Sequence, residues 1–365
     1  MPAPVRSRHL KKSDFQQLFK PLKPTLFSES PSPRPSTLIQ KITSVSWSAT
    51  GALLATCTTA NIRIWSPDRA HVKSSTELRN AHPKHGAAYG TPGHVLASTG
   101  ADGMVRLWDV RLPGGATGVA GRGTPVGDVR IGDSGIFLAW HPGGDQVLAS
   151  RKDDVIHCVD VRQVAGGHMY ARDEVAGVGA KLDLTSTECL KGRDDKGNKD
   201  IFYQLSFSNS GREVLAPTAD GVVKVFDYPT FTHLHTLSGH TATAYCVQHS
   251  PAGSHVAVGS ADSTISLWDT TTWFCSGTLN APSQLTSVKD MSFSFDGQYL
   301  VAGSGSEARD GLPGLNVYHV DSGEVALTVE TANCPSFVAW HPSRYWVAYA
   351  GDPGGLKVVG AGSGI

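Results

Sequence analysis

The stretch GHTATAYCVQHSPAGSHVAVGSADSTISLWD, residues 239–269, decides the fold. An apolar run, Cys246-Val247-Gln248-His249, ends in Ser250-Pro251. After a turn, Val256-Ala257-Val258 forms a second run that enters a tight turn containing Asp262. A third run closes on Leu267-Trp268-Asp269. Apolar and polar residues tend to alternate, the pattern of strands packed between neighbours. One such unit carries little weight, so the rest of the chain has to be searched for copies of it.

Copies are found along nearly the whole length. The third run ends at Trp65-Ser66, Trp108-Asp109, Val159-Asp160, Phe226-Asp227, Trp268-Asp269, Tyr318-His319 and Val359-Gly360. Preceding first runs include Val45-Ser46-Trp47-Ser48, Leu138-Ala139-Trp140-His141-Pro142, Leu205-Ser206-Phe207-Ser208, Met291-Ser292-Phe293-Ser294 and Val338-Ala339-Trp340-His341-Pro342. A period of about 40–45 residues with Trp-Asp endings is the mark of WD40 β-propeller blades, and the longer gaps are the same unit carrying insertions. The expected architecture is therefore all-β: a seven-bladed WD40 propeller over 37–361, with insertions near 113–133, 163–199 and 305–314. Ahead of it, 1–36 reads as a basic extension with a short helix and a Pro-rich linker.

In the best blade the WD-repeat pattern implies one hydrogen-bonded chain, from His240 to Asp262 in the turn, then Ser260, then the Trp268 indole. Burying these polar groups is tolerable only if each has a partner. A His-Asp-Ser hydrolytic triad is the competing interpretation. Ser260 and Asp262 stand two residues apart in a turn, which fits the structural network and not a triad. Other blades keep fragments. Thr218 and Asp220 hold the Ser and Asp places before Phe226. Asp102 precedes Trp108, but Gly100 stands where the serine is expected. Asp153 precedes Val159 with Arg151 in the serine place.

Composition narrows the function. Forty glycines and 21 prolines suit many turns, and the formal net charge of zero gives no global field for nucleic acid or membrane. The six cysteines are scattered without a Cys-x-x-Cys pair, so neither a zinc site nor a redox motif is readable. Much of the histidine is blade punctuation, as in the Trp-His-Pro turns of His141 and His341, so no metal is expected. Residues 1–24 are polar and basic without a secretory leader, and no apolar run reaches the length of a membrane span. A soluble, intracellular location is the expectation. There is no Gly-x-x-x-x-Gly-Lys-Ser/Thr loop, so ATP binding, cofactors and small-molecule substrates are not expected either.

The irregular parts draw attention as contact points. Blade 2 looks thin: the residues between His82 and Val95 barely hold a first strand and its turn. Residues 1–36 carry seven Lys/Arg against Asp14 and Glu29. Within them Ser13-Asp14-Phe15-Gln16-Gln17-Leu18-Phe19-Lys20 reads as a short helix, with Phe15, Leu18 and Phe19 on one face. Too short to stand alone, it docks on the propeller or on a partner. Arg6, Arg8, Lys11 and Lys12 are candidate contacts to RNA or to an acidic partner. Because a propeller closes by lending an N-terminal strand to its last blade, Thr25–Ile42 is expected to hold that strand.

Several stretches go beyond the generic repeat: Phe15-Gln16-Gln17-Leu18-Phe19, Lys152-Asp153-Asp154-Val155, Tyr228-Pro229, and Phe337-Val338-Ala339-Trp340-His341-Pro342 with Leu356-Lys357-Val358. In these the chain resembles the THO complex subunit 3 family, the WD-repeat subunits of a nuclear assembly coupling transcription to messenger RNA packaging and export. The thin second blade and the long third-blade insertion depart from that family. The resemblance implies a non-catalytic nuclear scaffold, set against the large helical subunits of THO and through them serving a DEAD-box RNA helicase and mRNA. The alternative is another WD40 adaptor, a peptide or histone-tail reader or a ubiquitin-ligase receptor. A reader would need a ring of aromatic and acidic residues at the mouth of the central channel.

Overall fold

The computed structural model describes Phe15 and residues 25–27, 42–58, 61–69, 75–78, 81–82, 86–89, 94–110, 125–161, 184–192, 200–280, 287–305, 314–331, 335–351 and 355–360. Their strands form seven four-stranded antiparallel sheets, the blades. Blade 5, the reference unit, consists of Ala244–His249, His255–Ser260, Thr264–Asp269 and Cys275–Asn280. All seven endings read from the sequence close a third strand, from Ile62–Trp65 in blade 1 to Leu356–Gly360 in blade 7.

The ring is closed as the edge argument requires. Thr25–Phe27 pairs antiparallel with Leu356–Gly360 and supplies the fourth strand of blade 7, with Phe27 opposite Leu356. Phe27 also meets Trp65 of blade 1 edge to face at 5.9 Å. An apolar cluster joins Trp47, Leu54 and Trp65 of blade 1 to Ala348, Leu356 and Val358 of blade 7. Closure therefore removes an open sheet edge and buries the joint between the first and last blades.

Three expectations shift. The propeller reaches into the span set apart as an extension, since Thr25–Phe27 and the core residue Phe15 both precede residue 37. The segments read as insertions contain true fourth strands, Gly127–Arg130 in blade 2 and Thr185–Lys191 in blade 3. These outer strands are short of apolar residues because one edge and much of both faces meet solvent, which is why they read as loops. Blade 2 has its inner strand, Gly86–Tyr89, paired in register with Val95–Gly100. Residues 111–124, 162–183, 193–199 and 306–313 lie outside the described residues.

The Trp-His-Pro histidines seal the joints between blades. The His341 Nε2–H donates to the Gly51 carbonyl at 3.1 Å, from blade 7 to blade 1, while Nδ1 accepts the Ser343 N–H at 3.1 Å. The His141 Nδ1 accepts the Gly143 N–H at 3.0 Å, and its ring lies against Gly211 of blade 4. Gly51 and Gly211 have φ of +73° and +72°, and a Cβ at either would fall 2.2 or 2.4 Å from the facing imidazole. Glycine is needed twice over, for the left-handed backbone and for the close approach.

Candidate functional site

Among the described residues, the inner strands of blades 1 and 3–7 line a central cavity of about 840 Å³. Their polar side chains do two jobs. Some satisfy backbone groups of the next blade: the Val247 N–H donates to Gln204 Oε1 at 3.2 Å, Val338 N–H to Asp290 Oδ2 at 3.0 Å, and Trp340 N–H to Ser292 Oγ at 2.9 Å. Others line the N-terminal ends of the strands, where Tyr203 and Tyr245 meet edge to face at 5.1 Å and the Lys289 ammonium sits 3.4 Å over the Tyr245 ring. Burial pushes the Asp290 carboxyl up to about 7, against the hydrogen bonds it accepts from Val338, Met291 and Gln204. As a channel lining these residues did not stand out in the sequence, because they are spread over blades 4 to 7.

The polar network of blade 5 differs from the expected chain at one residue. His240 Nδ1–H donates to Asp262 Oδ2 at 3.0 Å, as the repeat implies. The hydroxyl between histidine and tryptophan is that of Ser266, not Ser260. Ser266 Oγ–H donates to His240 Nε2 at 2.7 Å and accepts the Trp268 Nε1–H at 2.8 Å. Ser260 instead donates to the Ala242 carbonyl at 3.0 Å and accepts the Asp262 N–H at 3.2 Å, tightening the turn. The reason is directional. Ser266 and Trp268 are two apart on one strand and share its face. Burial works against the Asp262 carboxylate. Hydrogen bonds from the Thr264 hydroxyl and from the Thr264 and Thr241 N–H groups outweigh it and hold the carboxyl below the usual range.

Blade 2 carries the same network complete, contrary to its degenerate appearance. His82 Nε2 and Trp108 Nε1 both reach Ser98 Oγ at 2.8 Å, and His82 Nδ1 lies 2.9 Å from Asp102. Arg106 adds a contact to Asp102 at 2.6 Å. The serine was sought at Gly100 but sits two residues earlier. The two blades are variations on one geometry, since Ser98 pairs across the strands with Arg106, and Val258 with Ser266. The hydroxyl has changed strands while staying at the same point. In blade 1 Trp65 Nε1 donates to Thr56 Oγ1 at 2.9 Å. Where the tryptophan is replaced by Val159 or Phe226, the matching position is Ala149 or Ala216. No indole N–H has to be satisfied there, so no hydroxyl is needed.

The N-terminal candidates divide. Phe15 is fully buried in the apolar cluster of blades 6 and 7. Leu18, Phe19, Arg6, Arg8, Lys11 and Lys12 lie outside the described residues.

Histidine burial predicts acid sensitivity. Desolvation, helped by nearby Arg344, lowers His341 from 6.5 to about 4, and desolvation also lowers His82 and His249. A histidine held neutral contributes stability that is complete above its unfolded value of 6.5. That stability is lost as pH falls from 6.5 toward the folded value. The melting temperature is expected to drop between pH 6.5 and 4. In His341→Gln it starts lower at pH 7.5 and declines less steeply across that window. Parallel declines in the two proteins would show that His341 does not carry the effect.

Known proteins agree with this picture. The model for the WD domain, G-beta repeat, matches residues 36–66, 79–109, 231–269 and 273–311, which takes in all three blades ending in Trp. THO complex subunit 3 of Arabidopsis thaliana is 27% identical over 318 residues, covering 86% of this chain and 87% of that protein. Cell division cycle 20.6, cofactor of APC complex, from the same plant is 24% identical over 261 residues, covering 62% of this chain and 58% of that protein. The chain thus spans less than two thirds of the latter. Among solved structures, the Cps50 (Swd1) β-propeller domain of Myceliophteria thermophila superposes with a TM-score of 0.70 at 17% identity, covering 88% and 97% of the two chains, a likeness of fold alone. Repeat and architecture together make the chain a WD-repeat β-propeller, and its likeness to THO complex subunit 3 runs through most of its length.

Proposed function

We propose that this protein is a non-catalytic scaffold subunit of a nuclear THO-type complex, joining transcription to the packaging and export of mRNA. The observation that carries this is the likeness to THO complex subunit 3, which runs through 86% of the chain and not through one blade. The architecture suits the role: a closed ring presents loops at two faces and a groove at each blade joint. Its partners in this reading are the large helical subunits of THO, with a DEAD-box helicase and mRNA reached through them. Tagged protein purified from nuclear extract is expected to bring down those helical subunits. An eluate without them overturns the proposal.

A second reading, an adaptor such as a ubiquitin-ligase receptor, draws on the likeness to the APC cofactor. Within that class, a reader of cationic tails fits poorly. Asp290 is the one acidic side chain among the described residues lining the channel, and burial favours its uncharged form up to about pH 7. The cation place on Tyr245 is already filled by Lys289.

A further inference from the structure

Phe15 rests in a socket made by residues distant in sequence. Its ring stacks on Tyr299 at 3.9 Å and 15°, meets Tyr345 edge to face at 5.8 Å, and tilts against Trp340 at 6.4 Å. Tyr299 comes from the second strand of blade 6, Trp340 from the end of the first strand of blade 7, and Tyr345 from the turn after it. The socket therefore bridges a blade joint.

Its walls are held without Phe15. The Tyr345 hydroxyl donates to Asp296 Oδ2 at 2.7 Å, and Asp296 Oδ1 accepts from Ser294 Oγ at 2.6 Å and from the Gln298 N–H at 3.2 Å. Tyr345 also packs on Phe295 at 4.9 Å and on Trp340 at 6.2 Å. A preformed aromatic pocket filled by a residue from outside the blades has the character of a binding site with its ligand in place.

We propose that this socket is a binding site for a short aromatic segment, that Phe15 is its tethered ligand, and that the contact is a second clasp on the ring beside the Thr25–Phe27 strand. Phe15 grips the joint of blades 6 and 7, and ten residues later the chain pairs with the edge of blade 7. The two attachments share one tether. Loosening the first gives the second more freedom to leave, and the tether supplies the high effective concentration that a weak aromatic contact needs. Of the two docking places that the sequence left open for Phe15, the propeller or a partner, this account gives it to the protein's own closure.

The test uses the full chain. Phe15→Ala is expected to lower the melting temperature by about 5 °C or more. It is also expected to speed amide exchange at least about tenfold in 25–27 and 356–358. A synthetic peptide of residues 10–20, added at millimolar concentration to the Phe15→Ala protein, restores most of the lost melting temperature. The same peptide with Phe15 replaced by alanine does not. Phe15→Leu, which keeps an apolar side chain in the socket, guards against collapse of the variant and gives an intermediate value. A Phe15→Ala protein as stable as the parent, or one that the Phe-bearing peptide leaves unchanged, overturns the proposal.

Discussion

Ser266→Ala is expected to destabilise the propeller by about 3 kcal/mol, while Ser260→Ala costs about 1 kcal/mol. The two serines are six residues apart and both buried, so burial alone predicts no difference. What separates them is what each leaves behind. Without the Ser266 hydroxyl, the buried Trp268 N–H loses its acceptor and His240 Nε2 loses its donor. An unsatisfied buried polar group costs about 1–3 kcal/mol, and here there are two. Without the Ser260 hydroxyl, the Ala242 carbonyl and the Asp262 N–H lose one bond each at a turn that is partly open to water. Chemical denaturation of both variants measures the gap. Equal losses, or a larger loss for Ser260→Ala, would return the network to the arrangement read from the sequence.

The second large effect is at the blade joints. Gly51→Ala and Gly211→Ala each place a methyl group where an imidazole already sits, 2.2 Å from His341 and 2.4 Å from His141. Each also forces a side chain into the left-handed region, which costs roughly 1–2 kcal/mol. Adding about 1–3 kcal/mol for overpacking gives an expected loss of about 3 kcal/mol or more per site. Pairing Gly51→Ala with His341→Ala removes the clash and is expected to recover part of the loss beyond the sum of the single effects. The backbone share remains. Simple additivity in that cycle would mean that His341 and Gly51 do not press on each other.

Sequence and structure agree where information is periodic and part where it depends on direction. The seven third-strand endings were legible because each is a large or apolar residue at a regular interval, and the interval survives the loss of any one tryptophan. The serine of blade 5 was misplaced because spacing along the chain says nothing about which face a side chain occupies. Val258 holds in blade 5 the place that Ser98 holds in blade 2, and its cross-strand neighbour Ser266 supplies the hydroxyl instead. Aligning the two blades on Trp108 and Trp268 would have exposed the exchange. The outer strands Gly127–Arg130 and Thr185–Lys191 were hidden in apparent insertions because exposed edge strands need no apolar pattern. The burial of Phe15 was beyond sequence reading, since its pocket is assembled from residues 295–345 of two blades.

The account rests most heavily on the chain acting as the propeller subunit of a THO-type assembly, and reconstitution tests that most directly. Co-expressed with the large helical THO subunits of its own organism and passed through a sizing column, the protein is predicted to co-elute with them in fixed stoichiometry. If the helical subunits assemble with one another while the propeller elutes alone as a folded monomer, the account is contradicted.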